Sequence, residues 1–174
     1  MKTVIIIGGG ASGLATASTL SKNNKYRIII LDQANKLARK VLASGNGRCN
    51  ISNLDLDIKN YNTSNSNIEK IINDFNIKEF FLQRGMIIRC LDNLVYPYSL
   101  SSLTVKNTLI DSLNNVEIHQ ECKLIYIKKD NGYTIITNQG NFNCDYVIIA
   151  TGSKASKLSS PDNLDALEPV AIIT

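Results

Sequence analysis

Val4-Ile5-Ile6-Ile7-Gly8-Gly9-Gly10-Ala11-Ser12-Gly13 decides how this chain is read: a run of branched apolar residues ends in a G-x-G-x-x-G turn. An apolar run of this length predicts a buried strand, and the glycine turn directly after it is where the pyrophosphate of a dinucleotide would sit. Each glycine has a separate task. Gly8 permits the tight turn, Gly10 lets the backbone approach phosphate with no Cβ in the way, and Gly13 lets the following helix lie close to its strand. The helix N-terminus adds unpaired N–H groups and the positive end of a dipole.

The flanking sequence supports this reading of the turn. Ala11 to Leu20 is rich in Ala, Ser, Thr and Leu without Pro, which suits a helix packed tightly on a sheet. Arg27 to Leu31 reads as a second parallel strand, and Asp32 follows it, nineteen positions after Gly13. An acid at that place accepts hydrogen bonds from the hydroxyls of an adenosine ribose. The fold class expected is α/β, a Rossmann-like dinucleotide-binding fold with a parallel sheet, helices and a small antiparallel crossover sheet.

Composition narrows the rest. With 174 residues, 44% hydrophobic and 20% charged, the chain can bury a core and is not disordered by composition. No apolar stretch reaches the length of a membrane span, and triple glycine interrupts the N-terminal run too early for a signal peptide, so a cytoplasmic protein is expected. The formal charge is +4, but Lys and Arg are scattered and no basic stripe alternates with aromatics, so no nucleic-acid partner is expected. Cys49, Cys90, Cys122 and Cys144 contain no C-x-x-C pair, which indicates neither a zinc site nor a redox dithiol. Cys122 and Cys144 read as small buried hydrophobes beside strands. His119 has no obvious acidic or nucleophilic partner in the sequence and reads as structural.

A second informative segment runs from Arg39-Lys40 through Gly45-Asn46-Gly47-Arg48-Cys49-Asn50 to Asn53. Its glycines and asparagines permit unusual backbone angles, and such a loop can turn its N–H groups around an anion while Arg48 or Arg39 supplies fixed positive charge. An ordinary surface loop is the alternative. Cys49, alone without a resolving partner, reads as structural rather than redox-active.

Taken together, G-G-G-A-S-G-L, the A-R-K-V-L-A-S-G-N-G-R-C-N-I-S-N block, Val95-Tyr96-Pro97-Tyr98-Ser99 and Ala150-Thr151-Gly152 resemble bacterial FAD-binding oxidoreductases of the aminoacetone oxidase and dehydro-bile-acid reductase group. The R-K-x-x-x-S-G-x-G-R-C-N block is the specific part. The resemblance implies bound FAD, with NAD(P)H as a candidate electron donor, and hydride or electron transfer through the flavin. It assigns cofactor contacts to Gly8, Gly10, Ala11, Ser12, Gly13, Asp32, Gln33, Arg39, Lys40, Gly45, Asn46, Gly47, Arg48, Cys49, Asn50, Ala150, Thr151 and Gly152. By the same resemblance the backbone around Cys122 and Lys123 faces the adenine. Two departures stand out: Ala38 occupies a position where the group usually has glycine, and Asp32 replaces the commoner Glu. The resemblance covers residues 1–158, expected to form an incomplete FAD-binding domain, while 159–174 carry no family motif and are expected to be an atypical or truncated tail. No catalytic residue, metal ligand, substrate or oligomeric state follows from the sequence. Two other readings stay open, an NAD(P)-dependent dehydrogenase and a non-catalytic dinucleotide-binding remnant.

The middle of the chain has helical and strand patterns. Ile68, Ile71, Ile72 and Phe75 make an apolar helical face. Asn76 with Glu79 resembles a capping box that opens a helix ended by Gly85. Short strands are expected from Met86 until Tyr96-Pro97 breaks them, and Ser101 or Ser102 caps a helix burying Leu103, Leu109, Ile110 and Leu113. Val116–Ile118, Lys123–Lys128 and Tyr133–Thr137 read as antiparallel hairpins, and Phe142–Ile149 as one segment ending in a buried parallel strand.

Overall fold

A computed structural model describes residues 1–61 and 67–152. In chain order its elements are β1 (Lys2–Ile7), α1 (Ala11–Leu20), β2 (Tyr26–Leu31), α2 (Arg39–Ala43), β3 (Ser52–Asn53), α3 (Asn67–Asp74), α4 (Ile77–Leu82), β4 (Ile88–Leu91), β5 (Leu94–Pro97), α5 (Ser102–Asp111), β6 (Val116–His119), β7 (Leu124–Asp130), β8 (Gly132–Thr137), β9 (Gly140–Cys144) and β10 (Tyr146–Ile149). Residue contacts divide the chain into two compact units. One comprises Met1–Lys40 with the chain from Leu109 onward, and the other is Val41–Thr108.

The first unit is built on a parallel sheet in the order β10-β1-β2-β6. Val4–Ile7 of β1 and Ile28–Leu31 of β2 are buried, as a strand covered on both faces must be. Helix α1 buries Gly13, Leu14, Ala17 and Ser18; the small side chains of Gly13, Ala17 and Ser18 permit close approach. Its one buried hydroxyl lies 2.7 Å from the hydroxyl of Ser112, so burying a polar group there is compensated. A second sheet, β7-β8-β9, is antiparallel. Ile135 and Cys144 of that sheet, with Cys122 just before it, join Ile5, Ile7, Ile29, Leu31, Val147 and Ile149 in one apolar cluster.

Two strand expectations are corrected here. Val116–Ile118 is not part of an antiparallel hairpin: β6 pairs in parallel with β2, Ile28 opposite Val116 through Leu31 opposite His119. Phe142–Ile149 is not one segment either, because the chain changes sheets at Asp145. The Asp145 N–H donates to the Thr3 carbonyl and its carboxylate accepts the Thr3 N–H at 2.7 Å, which ends β9 and starts β10 beside β1. The Asp130–Gly132 turn forms the expected hairpin of β7 and β8.

The second unit holds a three-stranded sheet, β3-β5-β4, with helices α3 and α4. Asn76 caps α4 as expected, its side chain accepting the Glu79 N–H at 3.0 Å; the Glu79 carboxylate bonds Gln83 at 2.9 Å. Tyr96-Pro97 does not break the strand pattern. Both residues lie inside β5, with Pro97 as its last residue opposite Ile88, a place where a missing N–H costs the ladder least. Phe75 is exposed and falls after α3 rather than on it. In α5, Ser102, Val105 and Leu109 form the buried face and Leu103 is 51% exposed, because it stands one position off that 3.6-residue stripe. Ser102 is not a cap: its hydroxyl donates to the Leu42 carbonyl at 2.9 Å.

His119 has the acidic partner that its sequence neighbourhood did not suggest. Its Nε2 lies 2.7 Å from Glu117 Oε1, two residues back on the same face of β6, and Glu117 also pairs with Arg27 at 2.7 Å. Those hydrogen bonds, from His119 first and Arg27 second, lower the Glu117 pKa.

Burial pushes the Cys144 thiol up to about 11 from an ordinary 9.0. The unfolded chain therefore loses this proton above about pH 9 while the folded chain keeps it, and stability declines between those two values. Replacing Cys144 with Val should flatten the fall in melting temperature between pH 8.5 and 10.5 while keeping the apolar packing. An identical pH slope in both proteins would rule this group out as the cause.

Candidate functional site

The C-terminal ends of β1, β2 and β10 lie side by side, and the loops leaving them carry most of the residues singled out by the sequence. Gly8 follows β1 with φ +113, a conformation open chiefly to glycine, and a Cβ there would collide with the Ala150 carbonyl. Its N–H donates to the Leu31 carbonyl, and the Ala150 N–H donates to the Ile7 carbonyl, both at 2.8 Å. Gly8 thus seals the turn against both neighbouring strands. A Cβ on Gly13 would strike the Gly8 carbonyl, so the third glycine is needed for helix packing. Gly10 differs from both: a Cβ there meets nothing within 4 Å. Among the described residues packing does not require glycine at this place; a ligand lying against the backbone would.

Gly10 caps α1 with no side-chain hydrogen bond, and the first turn holds no acidic residue. The N–H groups of Ala11, Ser12 and Gly13 therefore begin the helix without internal partners. Helix dipole and orphan donors together favour an anion here.

Asp32 sits one residue beyond β2. One carboxylate oxygen accepts the Gly9 N–H at 2.5 Å, and the other accepts the Ala34 N–H at 2.7 Å. The second bond is an Asx turn, the aspartate side chain accepting from the backbone two residues on. A carboxylate offers about four lone-pair sites, so the partly exposed Asp32 keeps capacity for ligand hydroxyls. Gln33 next to it is exposed. On the other side of the Gly9 peptide, the Ala38 N–H donates to the Gly9 carbonyl at 2.8 Å. Ala38 is buried and has φ +56, the left-handed conformation that favours glycine. This accounts physically for the glycine that the group usually has at that position, and makes Ala38 a participant in the site that no binding pattern announced.

At the end of β10, Ala150 is buried, and Thr151 Oγ1 is a buried hydroxyl without a hydrogen-bond partner among the described residues. Gly152 has φ +63, and its nearest neighbour where a Cβ would stand is Lys40 Nζ at 3.8 Å. Orphaned buried hydroxyls are rare. Together with the open space at Gly10 and the unpartnered start of α1, this one fits a polar cofactor passing the strand ends. Arg39 and Lys40 open α2 and are exposed.

Cys122 and Lys123 lie on the far side of Asp32. Their N–H groups are engaged within the protein, Cys122 with the Asp32 carbonyl at 2.9 Å and Lys123 with Asn138 Oδ1 at 2.6 Å. The Cys122 side chain is core.

Gly45 to Asn50 belong to the second unit. Gly45, Asn46 and Gly47 have positive φ, between +52 and +80, as expected of glycine and asparagine, and Cys49 has φ +56, which its residue type did not announce. The Arg48 N–H donates to the Gly45 carbonyl and the Cys49 N–H to the Ser44 carbonyl. Cys49 is buried, and Arg48 and Asn50 are exposed. Among the described residues, no cluster of His, Cys, Asp and Glu could hold a metal ion, and no helix is long and apolar enough to cross a membrane. The expected tail at 159–174 lies outside the described residues.

The profile of the HI0933-like protein Rossmann domain matches residues 2–165. The chain is 31% identical over 170 residues to a 3-dehydro-bile acid delta(4,6)-reductase of Clostridium scindens, covering 93% of this chain and 42% of that protein. It is 28% identical over 164 residues to a ribosomal RNA dihydrouridine synthase of Escherichia coli, covering 85% and 38%. It thus spans about two fifths of the length of these curated relatives. Among solved structures, the tetracycline destructase Tet(51) superposes with a TM-score of 0.55 at 15% identity, over 95% of this chain and 42% of that one. A glycine oxidase from Geobacillus kaustophilus superposes with a TM-score of 0.52 at 15% identity, over 91% and 58%. These two share the fold. The glycine turn, the strand order and the match along nearly the whole described chain lead to one assignment: the chain belongs to the HI0933-like protein Rossmann domain family.

Proposed function

We propose that this chain is the FAD-binding part of a flavin-dependent oxidoreductase. The observation that carries the reading is Gly10, a glycine with open space where its Cβ would be, at the unpartnered N-terminus of α1 and beside a carboxylate already aimed at the same turn. In this reading Gly8, Gly10, Ala11, Ser12 and Gly13 surround the pyrophosphate. Asp32 and Gln33 take the adenosine ribose, and the segment at Cys122 and Lys123, with the exposed Lys123 side chain, faces the adenine side. Ala150, Thr151 and Gly152 flank the chain of the cofactor, with the Thr151 hydroxyl donating to it. Arg39 and Lys40 contribute positive charge.

Bound FAD would accept or deliver hydride, and the protein would bind, orient and tune it. The relatives' names describe a reductase and a synthase of dihydrouridine, which supports reduction of substrate, with NAD(P)H as the electron source. The higher identity to the bile-acid reductase favours a small-molecule substrate over the RNA named in the second relative. We place the protein in the cytoplasm.

The test is the visible spectrum of the purified chain titrated with FAD. Saturable binding with perturbed flavin bands is expected; NAD binding without colour would favour a nicotinamide dehydrogenase, and binding of neither would favour a remnant. Gly10→Val should abolish FAD binding with the circular dichroism unchanged, whereas Gly13→Val should disrupt the fold itself. Retained FAD affinity in the Gly10 variant would remove the pyrophosphate from this turn. Asp32→Ala should weaken FAD binding by about 1–3 kcal/mol, the size of a charge-assisted hydrogen bond and its desolvated partner. An unchanged dissociation constant would leave Asp32 with a purely structural part.

A further inference from the structure

Asp32 holds its place through more than its own strand. Its N–H donates to the His119 carbonyl at 2.9 Å, its carbonyl accepts the Cys122 N–H at 2.9 Å, and the Ala34 carbonyl accepts the Glu121 N–H at 3.1 Å. Residues 119–122 therefore brace the backbone on both sides of the acid. That brace includes Glu121 at φ +55, a conformation that a Glu adopts only when its surroundings impose it. The surroundings come from the β8–β9 turn. Asn138 Oδ1 accepts the Lys123 N–H at 2.6 Å, Asn138 Nδ2 donates to the Glu121 carbonyl at 3.0 Å, and the Asn138 N–H donates to the Lys123 carbonyl at 3.2 Å. Gln139 adds a bond from Nε2 to the Gln120 carbonyl at 2.9 Å. An exposed asparagine with no apolar burial to account for it thus uses both ends of its amide to shape the turn under Asp32.

We propose that Asn138 is a positioning residue for the ribose-binding carboxylate. It touches no cofactor. It fixes the 121–123 turn, the turn fixes the Asp32 backbone, and the Asp32 carboxylate reaches the Gly9 N–H and the ligand from the place so defined. This rests on the reading of Asp32 as the ribose acceptor, and the experiment separates the two.

A double-mutant cycle on FAD binding by the whole chain tests it. Asn138→Ala should raise the FAD dissociation constant about fivefold, with the chain still folded by circular dichroism. In an Asp32→Ala background the same substitution should cost nothing further, because there is no carboxylate left to position. Asn138→Asp keeps the acceptor for Lys123 but sets an oxygen against the Glu121 carbonyl, and should show a loss that also vanishes in the Asp32→Ala background. An equal fivefold loss in both backgrounds would mean general destabilisation and overturn the proposal, as would wild-type affinity in both Asn138 variants. Wild-type chain that binds no FAD at all would overturn the cofactor reading and this inference with it.

Discussion

The two hydrogen bonds accepted by Asp32 tie the structure together. The Gly9 N–H at 2.5 Å lies in the loop after β1, and the Ala34 N–H at 2.7 Å lies in the loop after β2. One carboxylate therefore joins the ends of adjacent parallel strands at the edge where a doubly wound sheet binds its ligand. The Ala38 N–H closes the other side of the same Gly9 peptide. With Gly9 held from both sides, Gly10 and the start of α1 have a defined direction, and a phosphate arriving there would meet donors already in place. Preorganisation of this kind lowers the ordering cost of binding.

Around that point the packing is arranged so that the site stays open. Gly8 and Gly13 are glycines because backbone atoms of Ala150 and Gly8 occupy the space a side chain would need. Gly10 has no such neighbour. The Thr151 hydroxyl, buried and unpartnered among the described residues, is a polar atom that a bound ligand would satisfy. Open space and orphan donors on the loop after β1, and an orphan hydroxyl on the loop after the neighbouring β10, agree on one ligand position.

Much of this was legible in the residues. The apolar run into G-x-G-x-x-G, the Ala- and Ser-rich helix and the acid after β2 follow local rules of periodicity and spacing, and β1, α1 and β2 lie where those rules put them. What stayed hidden depends on distant partners. Val116–His119 is too short to reveal whether it pairs in parallel with β2 or in a hairpin, and only tertiary pairing decides. The break at Asp145 comes from a side-chain bond to Thr3, 142 positions away. Ala38 gives no local sign of a left-handed backbone, and Asn138 no sign that it braces a turn fifteen residues earlier. The Gly45–Asn50 loop shows the opposite case, because glycine and asparagine announce positive φ directly.

In the proposed complex the cofactor lies across the loops leaving β1, β2 and β10. Backbone amide shifts in a ¹H–¹⁵N spectrum of the labelled chain, followed during a titration with FAD, test it most directly. The account predicts saturable shifts at Gly9–Gly13, at Asp32–Ala34 and at Thr151–Gly152, with the amides of the β7–β8 hairpin tip at Asp130–Gly132 unmoved. Saturable FAD binding that leaves the glycine turn and Asp32 unshifted would contradict it.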